Sequence, residues 1–290
     1  MGAPPRTALP LLGLVFSGAM LGSGHVCARL AFTHGVSLLT AAAVRVSCAA
    51  LIVAIVVLAR RIRLAAPPRE RLGALALGVF VTAQTLLVQV GVKHLPVTLA
   101  LLLFYTYPLF TATVSGLIGA HAVTRRLMVS LLAAFAGLAL VLGVTPGGVD
   151  TIGVMGAVGA ALVFTGTLVL TPRLAPGVAA PLRTLFTMAA GATILWSLAV
   201  GTDNVQWPAT TIAWSGLAGL SLFYGMGIAG LFLLLPRLGP VQTAVVLNLE
   251  PVFVAIIAWV ALGEALTPVQ MAGAAIVVAA VIASQLRPAD

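Results

Sequence analysis

Ten apolar stretches, each close to the length that crosses a bilayer, follow one another along this chain with only short connections between them. A membrane-spanning helix needs about 20 mostly apolar residues. On that rule the spans fall at roughly 8–31, 36–59, 71–92, 97–119, 126–144, 151–174, 181–201, 210–235, 241–262 and 267–286. None of the connections is long enough to hold a soluble domain. The composition agrees: 61% of the 290 residues are hydrophobic and 7% are charged. A soluble domain would carry about 25% charged residues. So much apolar surface cannot be hidden in one water-soluble core, and much of it must face lipid. The expected class is an all-α polytopic membrane protein with ten transmembrane helices.

The net charge of +9 comes almost entirely from arginine, with Lys93 as the one lysine. A basic balance also suits nucleic acid, but these charges sit in short loops between apolar runs. They serve topology and contact with anionic head groups better, so a lipid bilayer is the expected partner and nucleic acid is not. The loop after the second span holds Arg60, Arg61, Arg63, Arg69 and Arg71, which makes it cytoplasmic under the positive-inside rule. Both termini are then cytoplasmic, and Arg6, Arg125, Arg126, Arg173, Arg183, Arg237 and Arg287 fall on the same side. Only Arg29, Arg45 and Lys93 do not. The outer connections carry Lys93, Asp150, Asp203 and Glu264. Met1 to Thr7 holds one arginine and two prolines, and the first apolar run outlasts a signal-peptide core, so a retained signal-anchor helix is expected. Cys27 and Cys48 both fall in apolar runs and are expected to be reduced and buried.

The two halves of the chain resemble each other. At a shift of 144 residues, Arg29-Leu30-Ala31 matches Arg173-Leu174-Ala175, Gly22 matches Gly166, and Pro96-Val97 matches Pro240-Val241, with Lys93 against Arg237. At a shift of 143, Pro108, Phe110, Ala112, Thr124 and Met128 match Pro251, Phe253, Ala255, Thr267 and Met271. Matches of Pro, Phe and Arg carry more weight here than matches of Ala or Leu. The expected units are residues 1–145 and 146–290, five helices each. Five is odd, so the second unit enters the membrane from the opposite side. The result is two inverted five-helix repeats, an arrangement many secondary transporters use for alternating access.

Pro240 to Ile282, with Glu250-Pro251, Leu262-Gly263-Glu264, Thr267-Pro268 and Gly273, resembles the second repeat of the EamA domain. The first half, with Pro96, Tyr107-Pro108 and Arg125, resembles the first repeat, departing from it at Ala120-His121 where the second has Gly263-Glu264. The resemblance covers nearly the whole chain. It implies the drug/metabolite transporter superfamily, whose similar members export amino acids such as threonine, homoserine and aromatic ones, and related metabolites. It implies an inner-membrane exporter, and export rests on the resemblance alone.

In such a fold the substrate site lies near the midplane between the halves. Depth along each span selects the candidates. Glu250 and Asn248 lie about nine residues into span nine, or roughly 13 Å at 1.5 Å per residue. Tyr105 and Tyr107 lie at matching depth in span four. Gln84 and Gln89 in span three, Tyr224 in span eight and His25 in span one complete the set, and Pro108 and Pro251 are structural kinks. An intramembrane carboxylate is expensive and points to function, but Glu250 also has a structural reading, bonded to backbone freed by Pro251. Asn248 is two residues from Glu250 and faces elsewhere on an ideal helix, and Tyr105 and Tyr107 pose the same problem, so each pair converges only where the helix is irregular. The tyrosines also read as packing, Gln84 and Gln89 as helix bridges, and His25 as an interhelical donor or a proton carrier. Trp207, Trp214 and Trp259 suit an interfacial belt, and Arg29 and Lys93 suit snorkelling side chains. Arg45, about ten residues into span two, would pair with an acid, a carbonyl or a substrate carboxylate. Four-residue spacings of small residues, Gly13/Ser17 and Gly18/Gly22 in span one and Gly153/Ala157/Ala161 in span six, suit close helix contacts.

The chain has no Walker-type phosphate loop, no ligand-spaced Cys/His cluster and no nucleophile elbow. Neither an enzyme nor an ATP-driven pump is expected, and no cofactor or metal. The expected function is alternating-access export of a small metabolite, with amino acids as the substrate class, Glu250 receiving a substrate ammonium or a coupling proton, and a fold compatible with a monomer. The alternatives are a multidrug or lipophilic-cation antiporter and a non-transporting assembly or sensor protein.

Overall fold

The computed structural model describes residues 8–120, 122–143, 150–263 and 265–285. Glu264, His121, Arg6 and Arg287, used above for topology or the repeat, lie outside the described residues. The chain folds into α1 (Ala8–Thr33), α2 (Leu38–Ala59), α3 (Pro68–His94), α4 (Val97–Phe104), α5 (Tyr107–Leu117), α6 (Arg125–Val141), α7 (Thr151–Leu174), α8 (Ala180–Gly201), α9 (Thr211–Leu247), α10 (Glu250–Leu262) and α11 (Pro268–Gln285). Local sequence explains many of the helix starts. Ser37, Thr124, Asp150 and Thr210 stand at N-caps, and their side-chain oxygens accept from the amides of Thr40, Leu127, Ile152 and Ala213.

Eight of these helical segments are long and apolar enough to cross a membrane. They become ten crossings for two reasons. The 17-residue α6 also crosses, and α9 holds one full span and the first half of the next, divided at Gly239. Gly239 has φ +76°, a left-handed conformation that a side chain would strain, and it turns the chain into Pro240. The molecule is therefore a multi-pass membrane protein of ten spans in two inverted five-helix repeats.

Spans four and nine, expected to kink at Pro108 and Pro251, are each broken near mid-depth. α4 stops at Phe104 and α5 begins at Tyr107; α9 stops at Leu247 and α10 begins at Glu250. The physical reason is proline. Pro108 and Pro251 occupy the first turn of α5 and α10, where a missing amide hydrogen costs little, but neither could continue the preceding helix. The connecting residues tighten into i→i−3 bonding, with Thr106 N donating to Leu103 O, and Asn248 and Leu249 N donating to Val245 and Val246 O. At the first break Thr111 Oγ1 (2.7 Å) and Thr165 Oγ1 (3.2 Å) also donate to the Tyr107 carbonyl.

Packing repeats with the inverted symmetry. α1 packs on α9 as α7 packs on α3, and α2 packs on α9 as α8 packs on α3. α1 meets α10 as α7 meets α4 and α5. The close pairs are made by small residues. Along α1, Gly13, Ser17, Leu21, Gly24, Cys27 and Ala31 run against Leu234, Gly230, Gly227, Leu220, Gly219 and Gly216 of α9. At the equivalent crossing, Gly156 of α7 lies so near Gly91 of α3 that a Cβ there would come within 2.8 Å of the Gly91 amide. Without a hydrophobic driving force in lipid, such close backbone contact is what holds helices together.

Cys27 and Cys48 are free and half-buried. Trp207 stacks on Trp214 at 6.0 Å and lies 5.9 Å from Trp196, so these indoles form one cluster at the ends of α8 and α9.

Candidate functional site

The break in span nine puts Glu250 on the first turn of α10, about 15 Å into the span counted from Pro240 at 1.5 Å per residue. The free amides and dipole at a helix start favour a negative charge there. The carboxylate does not turn back onto backbone freed by Pro251, one of the two readings open from sequence. It reaches across to α1, where Glu250 Oε1 lies 2.8 Å from His25 Nε2. This is a hydrogen bond in either protonation state of the imidazole and an ion pair when the imidazole is charged. The Glu250 side chain is 12% exposed and that of His25 is 45% exposed, so the carboxylate is the buried member of the pair.

One face of α1 makes this contact possible. Gly18, Gly22 and His25 are spaced four and three apart, on one side of the helix. A Cβ on Gly22 would come within 3.0 Å of Phe253 Cβ and 3.2 Å of the Glu250 carbonyl oxygen, and Gly18 lies against the Phe253 ring. Glycine lets α1 lie on α10, and the next turn carries the imidazole.

The Glu250 carboxylate lies within Coulombic reach of Tyr105, Tyr107 and Tyr224. Tyr105 and Tyr107 are both buried because the α4–α5 break turns them into one cluster, 6.1 Å between ring centroids. Phe104 and Phe164 join it, Phe164 meeting Tyr107 edge-on at 4.8 Å. Asn248 also turns inward at its break. It is 2% exposed, and its side-chain oxygen has no hydrogen-bond partner among the described residues. The irregular backbone that these pairs needed in order to converge is therefore present at both breaks.

Tyr224 joins a second charge to the group. The Arg45 guanidinium lies over its ring, 4.5 Å from the centroid, a cation–π contact from α2 to α9. Gln84 and Gln89 are half-buried on α3 and are linked to this cluster by no hydrogen bond or ring contact among the described residues. A shallow cavity of about 620 Å³ opens elsewhere, at the α5–α6 connection, lined by Thr113, Leu117 and Met128. No charged or aromatic side chain among the described residues lines it. Reading from sequence did not foresee Phe104 and Phe164; Phe104, directly before the break, carried a weak signal.

The cluster thus holds an acid, an imidazole, a guanidinium and aromatic rings beside the break in span nine. Broken helices near mid-depth are how secondary transporters build substrate sites. No curated protein matches the chain. A solved crystal structure of a protein is similar over 97% of this chain and 98% of its own, with a TM-score of 0.78 at 19% identity, which shows a shared fold. The model of the EamA-like transporter family matches residues 8–143 and again 151–284. The chain belongs to the EamA-like transporter family.

Proposed function

We propose that this protein exports small zwitterionic metabolites, amino acids above all, from the cell by alternating access. The observation that carries this reading is the His25–Glu250 pair at the span-nine break, 2.8 Å between the two side chains, with three tyrosines within Coulombic reach of the carboxylate. A substrate ammonium would replace His25 on the Glu250 carboxylate. A proton could take the same place, which makes protons the natural coupling ion. The two breaks, one in each inverted repeat, provide the hinges about which the halves would rock. Outward direction, residence in a bacterial-type inner membrane with cytoplasmic termini, and function as a monomer of two units meeting between residues 145 and 146 complete the reading.

The test is overexpression together with reconstitution. Cells should gain tolerance to toxic amino-acid analogues, and liposomes holding the protein should exchange labelled amino acids. Unchanged tolerance with no exchange across an amino-acid panel overturns the proposal.

One observation favours a second reading. An intramembrane carboxylate within Coulombic reach of Tyr105, Tyr107 and Tyr224 also suits a lipophilic cation. That reading requires resistance to cationic dyes that disappears in Glu250→Gln, without amino-acid exchange.

A further inference from the structure

We propose that Arg45 is the carboxylate-binding residue of this site, so that the protein selects whole amino acids over amines. The proposal rests on the amino-acid reading above and deepens it.

A guanidinium inside a membrane is costly unless its donors are satisfied. Two other arginines reach a carbonyl: Arg173 Nη1 donates to Val169 at 2.8 Å and Arg183 Nη1 to Ala175 at 3.1 Å, while Arg183 Nε and Nη2 stay unpaired among the described residues. Arg45 makes no hydrogen bond at all among the described residues. Its Nε is buried and bonds to nothing among the described residues. No described acid pairs with it: Glu70 accepts from the Gly177 amide, Asp150 pairs with His94, Glu250 pairs with His25, and Asp203, near the start of α2 where Ser37 and Thr40 bond to the Asn204 carbonyl, makes no salt bridge with it. Nor does Arg45 snorkel. Seven residues into α2, about 10 Å at 1.5 Å per residue, it lies over the ring of Tyr224, thirteen residues into α9.

Its neighbours hold it there. Ser47 accepts from Trp196 Nε1 at 3.0 Å, which ties α2 to α8, and Ala49 packs where Gly225 leaves room on α9. The guanidinium therefore lies over one ring face of a neighbouring helix, and its buried Nε is left without a partner among the described residues. An arginine held in this way is suited to a planar carboxylate, which takes two parallel hydrogen bonds. The opposite charge needed for the other end of an amino acid is already in place. Tyr224 lies within Coulombic reach of both Arg45 and Glu250. A zwitterion would lay its carboxylate on Arg45 and its ammonium on Glu250, with Tyr224 between them.

The test uses full-length protein in liposomes, with leucine and tryptophan as probes against their decarboxylated analogues, isoamylamine and tryptamine. Wild type should prefer the amino acids. Arg45→Gln should reduce the amino-acid-to-amine ratio of kcat/KM at least tenfold, mainly by raising KM for the amino acid, and Arg45→Lys should fall between the two. Thermal melting of each variant controls for folding. An unchanged ratio, or equal loss for both substrate classes, overturns the role of Arg45 while leaving amino-acid transport standing. If wild type neither moves nor binds either amino acid, both readings fall.

Discussion

Glu250 Oε1 and His25 Nε2, 225 residues apart in the chain, meet at 2.8 Å and tie the first turn of α10 to the middle of α1. The contact joins the two inverted repeats at the depth where both halves break a helix. If it also steadies the fold, His25→Ala should leave a largely buried acid without its partner. Such a loss costs about 1–3 kcal/mol. Thermal melting in detergent should fall for His25→Ala and recover substantially in His25→Gln, which keeps a donor. An alanine variant as stable as wild type would show that the contact holds nothing together.

The ten spans and their inversion were legible in the sequence, because apolar length and arginine placement are strong signals in a bilayer. The repeat was legible through Pro108 and Pro251. What the sequence could not supply was the consequence of those prolines. In a one-dimensional reading, Asn248 and Glu250 lie on different sides of a helix, as do Tyr105 and Tyr107. Only the broken backbone lets each pair face inward. The His25–Glu250 contact was equally hidden, since no local pattern links residues so far apart. Gly18 and Gly22 were visible as small residues, but that they open α1 to α10 and not to α9 needs three dimensions.

Gly22 gives a steric test. Any side chain here meets Phe253 Cβ and the Glu250 carbonyl within 3.0–3.2 Å. Gly22→Val should force α1 away from α10, at an overpacking cost of about 1–3 kcal/mol. Transport in liposomes should fall sharply, while Gly35→Val, at a position with nothing nearby, should spare transport though its left-handed backbone is strained. Full transport in Gly22→Val would contradict the close approach.

The prolines can be separated from the charge. Pro251→Ala restores an amide hydrogen and lets the two helical halves fuse, as does Pro108→Ala in the first repeat. Both variants should melt at or above the wild-type temperature yet transport more slowly, by roughly tenfold if the breaks are hinges. Stability lost with transport intact would assign the prolines to packing alone.

Asp150 caps α7 and bonds to His94 Nδ1 at 3.0 Å, outside the membrane-spanning part of the helix. The His94 hydrogen bond first, and then the Ile152 amide, hold its carboxyl below its ordinary value of 3.8. A group depressed in the folded state stabilises above its unfolded pKa and loses that contribution as pH falls through the folded one. The melting difference between wild type and Asp150→Ala should therefore persist at neutral pH and shrink as the pH drops below about 3.8. A difference that grows in acid would contradict this sign.

The central claim is that Glu250 in the broken ninth span is where substrate binds. The most direct measurement is counterflow of labelled amino acids into liposomes carrying wild type or Glu250→Gln, at matched protein and melting temperature. The glutamine keeps the helix start and a hydrogen bond to His25 but removes the charge. Exchange should be robust for wild type and at least a hundredfold slower for Glu250→Gln. Equal exchange by the two proteins would place the substrate elsewhere and contradict the account.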